Sequence, residues 1–155
     1  MLQLPHDTAL EASLIGSMIY DPECIAEIIE VVKPEYFYHS QYKALCKKIF
    51  DLWGEDEKQI DLVVLAPFLE KIELSISKMT EIVSSIASTA SVRYSAERLR
   101  DLAALRAAVR VGQELQESSL LRDSDDIRKV ITKAETQLAR ITETTVEIDS
   151  LSTIE

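Results

Sequence analysis

Glycine is scarce in this 155-residue chain: only Gly16, Gly54 and Gly112 occur, alongside four prolines. A phosphate-cradling loop needs clustered glycines followed by Lys and then Ser or Thr, and these three isolated glycines cannot assemble one. Recurrent tight hairpin turns, which draw on Asn-Gly, Asp-Gly or Gly-Gly pairs, are excluded on the same ground. Positive charge is also in deficit, with 17 Lys and Arg against 27 Asp and Glu and a formal net charge of −10. Non-specific nucleic-acid binding rests largely on neutralising phosphates with Lys and Arg, so direct nucleic-acid binding is not expected and protein partners are.

The two cysteines, Cys24 and Cys46, sit in apolar-patterned segments without a CxxC pair. That excludes a disulfide framework or a zinc site and predicts buried free thiols. His6 and His39 stand alone in sequence, with neither an HExxH partner nor a nearby nucleophile, and read as surface or capping residues. The acidic runs Glu55-Asp56-Glu57 and Asp123-Ser124-Asp125-Asp126 lack the ligand alternation and glycine of a calcium loop and read as solvated turns. No catalytic, cofactor-binding or metal-binding residues are therefore expected in this chain. No apolar run approaches the roughly 18 residues of a membrane span, and the N-terminus lacks a basic region followed by an apolar stretch. A cytoplasmic protein with no membrane partner is expected.

What the chain has is helix-forming residues in helical patterns, with 46% hydrophobic and 28% charged residues. The fold class expected is all-α: a compact bundle of five to six helices followed by an antiparallel helical hairpin. Asp7 caps a first helix ending at Tyr20, and Asp21-Pro22-Glu23 restarts a second running to about Val32. Lys33-Pro34 breaks the chain before Tyr36-Phe37-Tyr38, whose aromatics can plug the core, and a third helix spans Ser40 to Trp53. Asp61 caps a fourth helix, which Pro67 should kink or delay, and a fifth runs from about Ser77 to Ser88.

From Ser91 to about Leu121 the pattern is one long or twice-broken helix with a narrow stripe through Leu99, Leu102, Leu105, Val109 and Leu115. After an acidic cap at 123–126, Ile127, Ile131, Ala134, Leu138 and Ile141 fall at spacings of four and three, the seam of a coiled coil. Two narrow stripes on a hairpin bury little, so self-association through Leu102, Leu105, Val109, Ile127, Ile131, Leu138 and Ile141 is expected. The alternative is that the hairpin folds back on the first domain. Beyond Arg140 the Thr-, Ser- and Glu-rich segment has no sustained periodicity and reads as a linker or frayed tail. The organisation expected is residues 1–100 globular, 101–142 a helical hairpin and 143–155 a linker or tail.

Arg93, Arg98, Arg100, Arg106 and Arg110 make the one basic stretch of an acidic chain. It suits an acidic protein surface or ion pairs across an oligomer, or simply a solvated face paired with Glu97 and Asp101.

Leu4-Pro5-His6, Glu11, Gly16 and Asp21-Pro22 open the chain in a register that resembles the start of the N-terminal domain of DnaB-type replicative DNA helicases. Lys33 to Tyr38 is similar to its KPEDFY segment, and Ile60-Asp61-Leu62-Val63-Val64-Leu65-Ala66 to its IDLVTLA segment. Ala90-Ser91-Val92-Arg93-Tyr94 with Leu99-Arg100 is a looser match, so the resemblance covers residues 4 to 142 and is strongest in the first half. Two departures are Pro67 in the fourth helix and Glu73-Leu74-Ser75-Ile76 where the family carries a glycine pair.

The resemblance implies a collar domain whose hairpins pair into dimers, three of which close a hexamer. It implies docking of primase, and of a helicase loader, on that collar, with ATP and Mg used by a separate motor domain of an ATP-dependent 5′–3′ helicase. Glu11 and Tyr94 carry over as docking residues from matching positions, and Arg93 and Arg98 join them on charge. For Glu11 the competing reading is a helix-dipole residue, and for Tyr94 a core residue. An alternative function is a free-standing helical regulator that mimics this domain and modulates a host helicase.

Overall fold

The computed structural model describes residues 3–55, 59–121 and 127–152, with side chains through Thr145. The expected cap at 123–126 and the core of the acidic loop at 56–57 lie outside the described residues. Seven α-helices and two 3-10 turns, without strands among the described residues, form the chain: α1 (Thr8–Tyr20), a turn at Pro22–Cys24, α2 (Ile25–Ile28), a turn at Pro34–Tyr36, α3 (Ser40–Gly54), α4 (Leu62–Lys71), α5 (Ile76–Ser84), α6 (Val92–Leu120) and α7 (Ile127–Ser152). The expected all-α class is the observed one. Contacts cluster into two units, residues His6–Arg100 and the chain from Asp101 onward together with the N-terminal residues through Pro5.

In the first unit α1 is central. Leu14, Ile15, Gly16, Ser17, Met18 and Ile19 are all buried, and a helix buried on every side must be small or apolar all round. Gly16 makes this possible, because a Cβ there would lie 2.8 Å from Ile82 Cγ2 of α5 and 3.2 Å from Ile86 Cγ1. On α3 the buried residues Tyr42, Leu45, Cys46, Ile49 and Leu52 follow helical spacing. Of the three adjacent aromatics expected to plug the core, only Phe37 is fully buried; Tyr38 is exposed.

The caps follow the sequence. Asp7 Oδ1 accepts from Leu10 N at 3.0 Å, Asp21 Oδ1 from Glu23 N at 3.3 Å and Asp61 Oδ1 from Val64 N at 2.9 Å. Because Asp61 caps it, α4 starts at Leu62 and Pro67 does not delay it.

Helix α4 ends in a Schellman turn, with Leu74 N donating to Leu69 O at 2.9 Å and Glu73 N to Glu70 O at 3.2 Å. Glu73 takes the left-handed φ of 58° that glycine usually fills there. Gln41 Nε2 then donates to both Ile72 O and Glu73 O at 3.1 Å, tying this turn to the start of α3.

Three elements differ from expectation. The second helix stops at Ile28 instead of Val32, since Val31 N and Val32 N both turn back to Ile28 O. The β-branched Ile28, Ile29, Val31 and Val32 weaken the helix here, and Pro34 holds Lys33 extended at φ −111°, ψ 147°. Helix α5 covers Ile76–Ser84 and closes where Ser85 Oγ donates to Ile82 O at 2.7 Å. Helix α7 continues to Ser152 where a linker or frayed tail was expected after Arg140. Thr142, Thr144 and Thr145 hydroxyls donate to the carbonyls of Leu138, Arg140 and Ile141, so the threonines satisfy themselves inside the helix.

In the second unit, α6 from Asp101 and α7 run antiparallel. Glu114 of α6 accepts from Lys133 Nζ and, at 3.5 Å, from Gln137 Nε2, one turn apart on α7. Val111 and Ala134 are the buried pair of this seam. Arg106 is buried and its Nη1 donates to Pro5 O at 2.9 Å, which fixes the N-terminal residues within the same unit.

Candidate interaction surface

Chemistry that could serve catalysis is sparse. Among the described residues no group of three or more His, Cys, Asp or Glu could hold a metal. Cys24 is buried, its Sγ donating to Ser17 O at 3.4 Å, and burial, with Asp21 and Glu27 nearby, pushes its thiol from the ordinary 9.0 to about 12. Burial, assisted by Glu35, also pushes the Cys46 thiol up. Both are inert packing residues in the folded chain.

The two histidines, isolated in sequence, meet in space. His6 stacks on Tyr38 with ring centroids 4.0 Å apart, and His39 meets His6 edge-on at 5.6 Å. His39 Nε2 and Thr8 Oγ1 are hydrogen-bonded at 2.8 Å. Nothing in local spacing signals this cluster, which needs α1 and the turn before α3 to be brought together first.

Glu11 organises the same turn. It is fully buried, and its two carboxylate oxygens accept from Tyr38 N at 3.0 Å and His39 N at 3.1 Å. His39 is the N-cap of α3 but makes no side-chain cap bond, so the carboxylate of Glu11, reaching from α1, supplies the negative charge that the start of α3 favours. The side chain expected to meet a partner therefore offers no surface, and its place is structural.

The other docking residues lie at the start of α6. Tyr94 is 69% exposed, so it is not the core residue of the competing reading, and Arg98 is exposed one turn on. Arg93 is engaged, at 3.4 Å from both Glu30 and Glu97. The basic stretch is not one face: Arg100 and Arg106 are buried, whereas Arg98 and Arg110 are exposed. Helical geometry separates Arg98 from Arg100, since residues two apart point about 160° away from one another.

On the hairpin, Leu102 is buried while Leu105 and Val109 are exposed. On α7, Ile127, Ile131 and Leu138 are exposed and Ile141 half-buried. The seam between the two helices is made by Ala134 and the half-buried Leu115, two of the expected apolar positions, together with Val111 and the half-buried Val130. The large apolar residues of the stripe are left on the outside of the hairpin. Among the described residues no helix is long and apolar enough to cross a membrane.

Comparison with known proteins agrees with this architecture. The replicative DNA helicase DnaC of Bacillus subtilis is 22% identical over 142 residues, covering 88% of this chain and 31% of that protein. The replicative DNA helicase DnaB of Mycobacterium leprae is 24% identical over 147 residues, covering 91% of this chain and 24% of its own length. The chain thus spans about a quarter to a third of these relatives. The crystal structure of the N-terminal domain of DnaB helicase from Mycobacterium tuberculosis superposes with a TM-score of 0.79 at 25% identity, over 89% of this chain and 99% of that one. The family described as the DnaB-like helicase N-terminal domain matches residues 3–101, and the chain belongs to it.

Proposed function

We propose that this chain is the assembly and docking part of a replicative helicase, pairing through its hairpin into dimers that close as a trimer of dimers. The observation that carries this reading is the outward apolar face of the hairpin. Ile131 and Leu138, seven residues apart on one face of α7, are 48% and 44% exposed, and Leu105 and Val109 are exposed on α6. A second hairpin laid over these residues would bury the roughly half of each side chain that is still exposed, at about 0.7–1.5 kcal/mol apiece, the ordinary driving force of helix pairing.

On the same reading Tyr94 and Arg98 form the core of a primase-docking surface, because exposed tyrosine and arginine are the side chains that most often carry interface energy. A helicase loader is a second candidate partner for the assembly. ATP and Mg belong to the motor part of such helicases. The net charge of −10 makes DNA contact by this part unfavourable, and its place of action is the cytoplasm.

Light scattering over a concentration series tests the assembly. The unaltered chain should gain mass with concentration, and the double variant Ile131→Glu, Leu138→Glu should stay monomeric with unchanged helicity. An unaltered chain that stays monomeric at every concentration, or a double variant that associates as before, overturns it. Primase added to Tyr94→Ala should bind at least about tenfold more weakly than to the unaltered chain.

A further inference from the structure

On the first unit, α4 and the start of α5 present an apolar face that neither the core nor the expected docking residues use. Burying Leu65 and Leu69 toward the core turns Val63 to the opposite side of α4, where it is 83% exposed. Pro67 is exposed one turn further along α4, and Ile76 is exposed at the start of α5. A solvent-facing helix side ordinarily carries charged residues, not valine and proline. Ala66, Pro67, Leu69, Glu70, Leu74 and Ile76 line a shallow groove of about 470 Å³ there, floored by the buried Leu69 and Leu74.

Two features give the groove a chemical preference. Glu70 is the charged member of its lining, and the segment from Glu55 to Ile76 carries six acids against Lys58 and Lys71, a net −4. Pro67 has no N–H to give the Val63 carbonyl, so this acceptor lacks its helical donor beside the apolar patch.

We propose that the groove receives a basic amphipathic segment of a protein partner. Its apolar side chains lie over Leu69 and Leu74 between Pro67 and Ile76, and its Lys or Arg side chains are set against Glu70 and the Val63 carbonyl. This is helix-in-groove recognition with charge complementarity choosing the partner. A second copy of this chain, itself at −10, would bring acid against acid, and a nucleic-acid phosphate would meet Glu70 directly. The surface is separate from the hairpin and adds a partner to the assembly role.

The test uses the full chain and a fluorescein-labelled helical peptide of leucine and lysine, with leucines at i, i+3, i+4 spacing, read by anisotropy. Two reference peptides replace every lysine by glutamate or every leucine by serine. The leucine–lysine peptide should bind saturably and the references should not. Ile76→Ser, which removes an apolar wall of the groove, and Glu70→Lys should each weaken binding about tenfold, with unchanged melting curves. Glu117→Lys, the same charge change on the exposed side of α6, should leave binding unaltered. If Glu117→Lys weakens binding as much as Glu70→Lys, or either reference peptide binds equally well, the attraction is general and the groove is no site. If Ile76→Ser instead lowers the mass of the free chain, a second copy covers the face and the proposal is overturned.

Discussion

Replacing Glu11 with alanine strands the backbone N–H groups of Tyr38 and His39, which now donate to its carboxylate at 3.0 and 3.1 Å. Each stranded amide costs about 1–3 kcal/mol. The lost side-chain carbons add a little under about 1 kcal/mol of packing. Relief from burying a charge recovers part of this. The net destabilisation is about 3 kcal/mol, toward the upper end for single substitutions. With a urea slope of about 2 kcal/mol per molar, the unfolding midpoint falls by about 1.5 M. Glu11→Gln keeps one acceptor oxygen but sets its NH2 against the other amide, so about half the loss is expected. Hydrogen exchange adds a local readout: the amides of Tyr38 and His39 should lose protection in Glu11→Ala at urea concentrations where the rest of the first unit keeps it. A variant as stable as the unaltered chain but unable to hold a docking partner would refute this structural role and restore the surface role.

Other substitutions probe the remaining features of the first unit. Gly16→Val places carbon within 2.8 Å of Ile82 Cγ2 and should cost about 2 kcal/mol or more in urea unfolding by forcing α1 from α5; a neutral result would mean that α5 is loosely held. Glu73→Gly relieves about 1–2 kcal/mol of left-handed strain at φ 58° and returns about 0.5–1 kcal/mol through the unfolded chain, for a net gain of about 0.5 kcal/mol that Glu73→Ala should lack. Cys24, at about 12, holds only about one thiolate in ten thousand at pH 8, so native-state alkylation should proceed at the rate of unfolding, and immediate labelling on mixing would contradict its burial. Its folded value lies above the ordinary 9.0, so the stability it contributes is complete below pH 9 and is lost as pH rises toward about 12. A Cys24→Ala variant should lose less stability over that window.

What sequence made legible is what local chemistry decides. Asp7, Asp21 and Asp61 each cap the element that follows, because a short acid before an apolar periodic run has few better places to put its oxygens. The face of α3 followed from spacing alone. The end of α2 is hidden from pattern because Ile and Val at 28–32 suit a periodic helix by hydrophobicity while their branching opposes one. Helix α7 runs on for the opposite reason: threonines that look like loop composition bond back onto the carbonyl four residues earlier.

The interaction surface was legible as a pattern but not as a placement. A heptad-like stripe states that apolar residues share a face, and it does not state which face of a hairpin meets the partner helix. Here the seam went to the small pair Val111 and Ala134, which let α6 and α7 approach, while Glu114 bridges Lys133 and Gln137 to set their register. That choice turned Ile131 and Leu138 outward. Glu11 shows the same limit from the other side. An acid in the first turn of a helix is a reasonable surface residue by position, and only the arrival of the 38–39 turn on α1 makes it a buried acceptor. Residues whose partners are local could be placed from the sequence, whereas residues whose partners are 27 or 28 positions away, as Tyr38 and His39 are from Glu11, could not. Residues that pair one chain with another belong to the second class by nature, since their partners are absent from the sequence that carries them.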